Sequence, residues 1–355
     1  MSVDYTKDEI KRLIDDMNES RNFYQQIKIS GNKDTLSDRY FRAKSGQCLS
    51  KDYQRKNTQS RVLDELSEES TKANPNVFFV NTKKNFDKLK RVRHPMYTPD
   101  KDIYLVTDIE DKIGKKVGNK FDITHIDSYS KYPHYMKKKG LTIVRLGLGL
   151  AVMVPEISHK AFHNFEFIDE KTESTKIDYN YPLLYRISQN NDVESLSEAL
   201  IMDVARECGI LKWVHYGDIN DSRNLHTLTA HRTNETFSFQ IDNKNFQYKD
   251  IQIETDGSSS EEESGENICV YETKALKPKE VREDFAVYQL YNPYRKNILR
   301  NNYGKNLNQE AVYLTGKLNT DASELTIDTY VYKFKDDMKL DSIYLIKKHR
   351  FLISI

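Results

Sequence analysis

The sequence contains little cysteine and no long hydrophobic run, and both absences restrict the class of protein. Its three cysteines, Cys48, Cys208 and Cys269, are far apart and odd in number, which argues against a disulfide framework and against a Cys-x-x-Cys metal pair. The longest apolar stretch, residues 141–155, contains Arg145 and is shorter than the roughly 20 residues that span a bilayer. The N-terminus lacks a hydrophobic signal core. We therefore expect a cytoplasmic protein without a membrane partner.

A large excess of one charge is also missing. The chain of 355 residues carries 55 Lys and Arg against 54 Asp and Glu, a formal net charge of +1. This balance conceals three blocks, because residues 1–140 carry +8, residues 141–276 carry −11 and residues 277–355 carry +4. Blocks of opposite sign permit a basic surface for nucleic acid beside an acidic pocket, and they prove neither.

The first 100 residues are polar and only weakly periodic. Helical spacing of apolar residues predicts a short amphipathic helix over 4–17, and the scarcity of aliphatic residues over 30–61 predicts long loops or an arm. Residues 83–93 contain one acid and form either a solvated helical face or a patch that contacts phosphates. The basic residues of that run are Lys83, Lys84, Lys88, Lys90, Arg91 and Arg93.

Beyond residue 140 the pattern favours an alternation of strands and helices. One helix is predicted over 195–208, where Ser195 and Glu198 fit a capping box. A second is predicted over 278–291, ended by Asn292-Pro293. Strands are predicted at 141–155, 162–168, 236–241, 249–257, 267–275, 325–334 and, as a terminal pair, 342–355. This order indicates an α+β or mixed α/β fold, with a domain boundary near the polar connection at 169–180.

The residues that carry chemistry lie at the ends of two successive predicted strands. Asp256 ends the first strand, and Glu272 and Lys274 end the next. Because side chains alternate along a strand, Glu272 and Lys274 share a face, and Asp256 joins them if the two strands are neighbours. Two carboxylates make an all-oxygen site suited to Mg²⁺. With a lysine beside it, such a site has what phosphodiester hydrolysis needs.

The bare Asp/Glu-x-Lys pattern is common and occurs five times in this chain. Three of the other acids follow strand-like runs at polar turns, and one lies in a charge-rich loop. Glu272 alone sits inside an apolar strand with a second strand-end acid upstream. An edge-strand salt bridge between Glu272 and Lys274 is the competing interpretation. The other four pairs are Glu110/Lys112, Asp169/Lys171, Asp242/Lys244 and Asp337/Lys339.

The linked segments QIETDG, ICVYETKA and EDFAVYQLYNPYR, within residues 252–295, resemble the PD-(D/E)xK nuclease superfamily, and specifically bacterial type II restriction endonucleases. The resemblance covers a minority of the chain. It implies a restriction-endonuclease-like core, a mixed β-sheet flanked by helices, in a catalytic domain of residues 176–355. Residues 1–175 would then form an additional region of mixed structure, a DNA-recognition domain or arm.

The resemblance also implies a role for each site residue. Asp256 and Glu272 would bind Mg²⁺, with Mn²⁺ as a substitute, and Lys274 would activate water or stabilise charge. Glu254 shares a face with Asp256 and is a rival for the first-acid role. Glu198 would add an acid from the helix before the sheet, or serve only its capping box. Gln289 would orient Lys274 or a phosphate as a catalytic residue, or be an exposed helical residue.

Two features depart from the superfamily pattern. Thr255 occupies the position of the proline that usually precedes the aspartate. The acidic segment 258–266, SSSEEESGE, lies between the two strands that carry the site, and its composition favours a mobile loop. Its carboxylates would repel a phosphate backbone, and we have no firm physical account of it.

These observations predict a Mg²⁺-dependent, sequence-specific endonuclease that cuts double-stranded DNA as a homodimer, with a cognate DNA methyltransferase as its genetic partner. DNA phosphates would be bound by the basic residues of 83–93 and by Arg295, Lys296 and Arg300. A structure-specific repair or recombination nuclease is one alternative. A non-catalytic DNA-binding protein on the same fold is another.

Overall fold

The structure is a computed structural model that describes thirteen parts of the chain. The predicted helix 4–17, the predicted arm 30–61 and the basic run 83–93 lie outside them, as does Glu110. The described residues are 63, 76–79, 103–106, 124–132, 136–137, 140–155, 157–178, 196–262, 265, 267–278, 280–300, 308–319 and 324–354.

The described residues form a mixed α/β structure, as the order of predicted elements indicates. Its helices are α1 (Glu198–Glu207), α2 (Ile210–Tyr216) and α3 (Tyr288–Arg300). Its strands are β1 (Asn76–Phe79), β2 (Ile103–Leu105), β3 (Leu141–Gly147), β4 (Leu150–Pro155), β5 (Phe162–Asn164), β6 (Ser174–Asp178), β7 (Leu225–Ile241), β8 (Lys244–Glu261), β9 (Asn267–Leu276), β10 (Asp284–Ala286), β11 (Asn308–Asn319), β12 (Glu324–Phe334) and β13 (Ile343–Ser354). No helix in these parts is both long and apolar enough to cross a membrane.

A seven-stranded sheet in the order β6-β13-β12-β11-β9-β8-β7 organises the molecule. The strands β7, β8 and β9 run antiparallel to one another, and α3 then leads to β11, which lies parallel to β9. The strands β11, β12 and β13 are again antiparallel. Smaller sheets have the orders β2-β1-β4-β3 and β10-β5. Because β9 lies between β11 and β8, its charged residues lie away from the edges of the sheet.

The two faces of the large sheet are covered by different elements. One face packs its aliphatic side chains, such as Val312 and Ile327, against α1 and α2. The other face packs aromatic side chains, such as Tyr313 and Tyr332, against α3, the β3–β4 hairpin and β10. Burial of both faces supplies the main stabilising contribution of the fold.

The first predicted helix is confirmed, but its cap is not. Ser197, rather than Ser195, is the N-cap of α1, and its side chain accepts a hydrogen bond from the Leu200 amide. Glu198 is therefore the first helical residue, a position from which its side chain is free to bond elsewhere. The burial of Ile201, Met202, Val204 and Ala205 gives α1 its apolar face.

The second predicted helix is wrong in its position. Residues 284–286 form β10, which pairs with β5, and the Ala286 amide donates to the Asp127 carbonyl. These long-range hydrogen bonds outweigh the local helical periodicity. The helix α3 begins only at Tyr288 and continues through Pro293, where just the Gln289 carbonyl loses its intrahelical donor.

Two further predictions need correction. The predicted terminal strand pair is a single strand, β13, because it pairs along its whole length with β12 and has no turn. The polar connection at 169–180 contains β6, which pairs with β13 in the large sheet. The proposed boundary after residue 175 falls inside β6, and the division into two domains stays a prediction.

Candidate active site

The pairing of β8 with β9 brings Asp256 to the end of β9 that carries Glu272 and Lys274. Gly257 pairs with Tyr271 in the register of the two strands. The Asp256 carboxylate accepts a hydrogen bond from the Thr273 amide at 2.7 Å. The strands that were expected to be neighbours are neighbours, and Asp256 lies beside the Glu-x-Lys pair.

Glu272 and Lys274 share one face of β9, as strand alternation predicts. Lys274 Nζ lies 2.9 Å from Glu272 Oε1 and 2.7 Å from Glu198 Oε1. Glu272 is buried, whereas the Glu198 side chain at the start of α1 is 44% exposed. Glu198 thus reaches the site through Lys274 rather than closing a capping box.

Gln289 enters the site from the first turn of α3. Its Nε2 donates to Glu272 Oε1 at 2.8 Å, so it orients the glutamate rather than the lysine. Its Oε1 is buried and has no hydrogen-bond donor among the described residues. The interpretation of Gln289 as an exposed helical residue is therefore wrong.

Glu254 is held away from the other acids. Its carboxylate accepts from Arg232 Nη2 at 2.6 Å and from Arg232 Nε at 2.8 Å, across the β7–β8 pair. It still lines the pocket with Asp256, but the ion pair satisfies its charge. Asp256 is the better-placed first acid.

These side chains face a pocket of about 470 Å³. Its wall is supplied by β8, β9, α1 and α3, and on the remaining side by β3 and by the segment before it. The lining residues are His125, Asp127, Arg145, Glu198, Gln252, Ile253, Glu254, Asp256, Glu272, Lys274, Tyr288, Gln289, Asn292 and Pro293.

Burial changes the acidity of the central groups. It raises the pKa of Glu272 to about 8, with the Asp256 and Glu198 charges adding to the rise and Lys274 opposing it. Burial likewise raises the pKa of Asp256, against the Thr273 amide and Lys274. Burial alone would lower the pKa of Lys274, but Glu272 and Glu198 outweigh it and raise that pKa. The site therefore holds a charged ammonium among acids that are reluctant to ionise.

The segment 124–132 is fixed against the site by Asp127. Its carboxylate pairs with Lys131 at 2.9 Å and with Arg282 at 3.1 Å. Burial opposes ionisation of Asp127, but these two cations outweigh it and lower the pKa of that carboxyl. Asp127, His125 and Arg145 had no motif in the sequence to indicate a role, because only tertiary contacts bring them to the pocket.

The other described Asp-x-Lys pairs lie at turns, as predicted. Asp242 has a left-handed backbone conformation in the β7–β8 turn. The Asp169 carboxylate accepts from the Lys171 amide at 3.0 Å, which is an ordinary turn contact. The carbonyl of Asp337 accepts from the Tyr291 hydroxyl. Of the described pairs, Glu272/Lys274 is the one that lines this pocket.

The predicted phosphate-binding residues of α3 are already engaged. Lys296 is only 2% exposed, and its Nζ lies 2.6 Å from His231 Nε2. This burial leaves the lysine little access to a DNA backbone, and its assignment as a phosphate contact stays a prediction. Arg300 is paired with Glu235, and Arg295 donates to the Met338 sulfur. A DNA contact through either arginine stays a prediction.

The acidic segment after Asp256 is partly a strand rather than a loop. Residues 258–261 belong to β8, and Ser258 and Ser259 are buried against β9. Residues 263, 264 and 266 lie outside the description. The expectation of a loop over the whole of 258–266 is wrong, because pairing with β9 continues past Gly257.

No group of three or more His, Cys, Asp or Glu side chains among the described residues is arranged to hold a metal ion. In this arrangement Glu198 and Glu272 both bond to Lys274, and Glu254 bonds to Arg232. The two buried thiols, Cys208 and Cys269, are free.

Residues 157–352 match a family model described as Domain of unknown function (DUF6997), which is more than half of the chain. The chain belongs to this family. No curated protein and no solved structure matches this chain. The DUF6997 region contains Glu198, Asp256, Glu272, Lys274 and Gln289, whereas Asp127 and Arg145 come from the chain before it.

Proposed function

We propose that this protein is a divalent-metal-dependent nuclease that hydrolyses phosphodiester bonds in double-stranded DNA. The supporting observation is the convergence of Asp256, Glu272 and Lys274 on one pocket, with Glu198 and Gln289 brought to them by the flanking helices. A helix, a strand that carries Asp256, a Glu-x-Lys strand and a further helix follow in the order that the resemblance to PD-(D/E)xK nucleases implies. Sequence-specific cutting by a homodimer, as in type II restriction endonucleases, is part of the proposal.

The donor set fits a hard divalent cation such as Mg²⁺ or Mn²⁺. Asp256 and Glu272 offer carboxylate oxygens, and Glu198 could add a third. Mg²⁺ is often bound through one or two carboxylates and keeps several waters, so a site with few protein ligands suits it. Burial raises the pKa of Glu272, and a bound cation would oppose that shift by favouring the ionised carboxylate. When bound, the cation would polarise the phosphate and favour formation of hydroxide.

The protein's own residues have distinct tasks in this proposal. Lys274 Nζ donates to two carboxylates, so it acts as a positive donor that stabilises charge on the phosphate rather than as a base. Gln289 holds Glu272 by a hydrogen bond and so fixes the direction of that carboxylate. Glu198 holds Lys274 from the opposite side.

The test is digestion of unmethylated plasmid and genomic DNA with Mg²⁺, followed by sequencing of the ends. We expect Lys274→Ala to lower the cleavage rate at least about 100-fold while DNA binding is largely retained. Arg223→Ala is the matched control, because this exposed arginine pairs with Asp221 outside the pocket and should cut normally. Cleavage by Lys274→Ala at the wild-type rate would overturn the assignment.

The pattern of products decides the substrate class. Defined fragments with a common end sequence support site-specific restriction. Cutting confined to junctions, flaps or ends supports a repair or recombination nuclease with the same site.

The pairing of Lys274 with both Glu198 and Glu272 also favours a second candidate, a non-catalytic DNA-binding protein whose charged residues form a buried salt bridge. Calorimetry with Mn²⁺ separates the two. The nuclease should bind Mn²⁺, and Asp256→Asn should abolish that binding. A salt-bridge protein should show no such binding in either form.

A further inference from the structure

Arg145 is a cation of the pocket without a described partner. It lies in β3 and lines the pocket together with Glu272 and Lys274. Within the described parts of the chain, its guanidinium has no ion pair and no hydrogen bond. Leaving the donors of a half-buried arginine without an acceptor costs free energy, which a bound anion would offset.

The acids that line the pocket do not compensate Arg145, because each has another partner. Glu198 and Glu272 bond to Lys274, and Asp256 accepts from the Thr273 amide. The remaining two, Asp127 and Glu254, pair respectively with Lys131 and Arg282 and with Arg232. The donors of Arg145 are thus available for an anion that enters the pocket.

The backbone holds Arg145 in place through a bulge. The register of β3 with β4 shifts between Arg145 and Gly147, and such bulges redirect side chains. Gly147 has φ +95°, and a Cβ there would lie 2.1 Å from the Lys249 carbonyl oxygen. Only glycine allows this close approach of β3 to β8. The backbone two residues after Arg145 is therefore packed directly against β8.

Arg145 also has neighbours beside the pocket. It borders a small cavity beside the pocket together with Tyr248, Tyr288 and Asn292. The charge of Arg145 acts on Tyr248 and Tyr288, where it opposes the burial that raises the pKa of both hydroxyls.

The chemistry of the pocket points to phosphate as the anion. Three acids at its base, Glu198, Asp256 and Glu272, would repel a phosphate group, so a donor set is needed beside them. A guanidinium presents its N–H groups as a planar fork that matches two phosphate oxygens. A carboxylate ligand would be matched too, but the proposed function supplies phosphates.

We propose that Arg145 binds the DNA phosphate that is cleaved, and that the chain before the DUF6997 region thereby completes the site. This inference rests on the proposed function. It makes Arg145 a substrate-binding residue that touches the reacting phosphate, outside the residues that resemble the nuclease motifs.

The experiment uses the full chain and two variants, Arg145→Met, which keeps the apolar stem, and Arg145→Lys, which keeps the charge without the fork. We expect Arg145→Met to lower kcat/KM and to weaken binding of a DNA duplex in EDTA by about 10- to 100-fold. Arg145→Lys should recover part of the loss. Arg223→Ala should behave as wild type, and equal unfolding temperatures should show that the variants fold.

A duplex with a neutral methylphosphonate at the cleaved position identifies the phosphate. It should weaken binding to the wild type but leave binding to Arg145→Met unchanged. Equal weakening for both proteins, or normal binding and cleavage by Arg145→Met, would overturn the inference.

Calorimetry with inorganic phosphate alone separates this inference from the proposed function. Binding by the wild type that Arg145→Met lacks supports the phosphate site even if no DNA is cut. If the wild type cuts DNA but phosphate binding is the same in both proteins, the nuclease stands and the role of Arg145 is wrong.

Discussion

Two buried polar clusters lie on opposite faces of β8 and β9, only a few residues apart. The charged cluster is built on Asp256, Glu272 and Lys274 and faces the pocket. The neutral cluster is built on Ser259 and Tyr271 and faces α2. Tyr271 and Glu272 are adjacent in β9, so strand alternation sends them to opposite sides.

The neutral cluster is a chain of three hydrogen-bonded side chains. His215 Nε2 lies 2.7 Å from Ser259 Oγ, which lies 2.7 Å from the Tyr271 hydroxyl. Burial lowers the pKa of His215 to about 4, although Glu261 opposes the shift. His215 is therefore neutral near pH 7, so the neutral cluster buries no charge.

The two clusters differ in whether their buried polar groups carry charge. The neutral cluster pairs His215 Nε2, Ser259 Oγ and the Tyr271 hydroxyl inside the fold, while His215 Nδ1 is buried without a hydrogen-bond partner among the described residues. The charged cluster instead pairs the Lys274 ammonium with two carboxylates and places Asp256 beside them, with a raised pKa at Glu272, and it opens to a pocket. An arrangement that destabilises its own charged form is expected at a functional site rather than in a structural core.

The largest expected effect is the loss of DNA cleavage on substitution of Glu272, which should not be accompanied by a matching loss of stability. Glu272→Gln should lower DNA cleavage at least about 100-fold, because it removes a proposed metal ligand. The raised pKa means that the folded state binds the proton more tightly than the unfolded state. Wild-type stability therefore falls as pH rises from about 4.5 to about 8, and the glutamine variant should lack that fall.

Denaturation in urea at pH 5 and pH 8, without divalent cations, measures this difference. The free energy of unfolding of Glu272→Gln minus that of wild type should be larger at pH 8 than at pH 5. A stability difference between variant and wild type that is the same at pH 5 and pH 8 would contradict the assignment of Glu272 as an acid with a raised pKa.

The neutral cluster should show the reverse result. Ser259→Ala leaves the ring nitrogen of His215 and the hydroxyl of Tyr271 without their shared partner. We expect a loss of about 2–3 kcal/mol in the free energy of unfolding with cleavage per folded molecule unchanged. Thermal and urea denaturation measure the first quantity, and initial cleavage rates measure the second. A large loss of activity at full stability would remove the distinction between the clusters.

The smallest effect concerns the pH dependence of the neutral cluster. Because the pKa of His215 is lowered in the folded state, the unfolded state binds the proton first as pH falls. Stability is fully present above about pH 6.5 and is lost toward pH 4. His215→Gln, which retains a hydrogen-bonding side chain, should reduce the wild-type loss between pH 7.5 and pH 5 by about 1–2 kcal/mol.

Parallel unfolding curves for wild type and His215→Gln at the two pH values test this expectation. The subtraction isolates His215 from other histidines such as His163 and His349, whose pKa values burial also lowers. Identical pH dependence in both proteins would show that His215 is not a buried neutral histidine.

The residues of the candidate site could be predicted from the sequence to the extent that their relation is local. Glu272 and Lys274 share a face because strand period is two, and Asp256 was placed beside them by expecting adjacent strands. The partners of Glu198 and Gln289 were only partly foreseen. Glu198 is free to bond to Lys274 because Ser197, rather than Ser195, is the N-cap of α1.

What depends on long-range contact could not be predicted. The burial of Lys296 follows from the packing of α3 on the sheet, and a basic residue in a polar-looking stretch gives no sign of it. The misplaced helix over 278–291 has the same cause, since pairing of β10 with β5 overrode local periodicity.

The sequence by itself determined the strand alternation, the apolar face of α1 and the charged end of β9, because each depends on residues within a few positions of one another. Only the tertiary structure decided that Lys274 pairs with Glu198, that Gln289 holds Glu272 and that Arg145 has no ion pair among the described residues. Arg145 and Asp127 reach the pocket through a bulge and a hydrogen-bonded segment far away in the chain. Such contacts are settled by the packing of the whole fold.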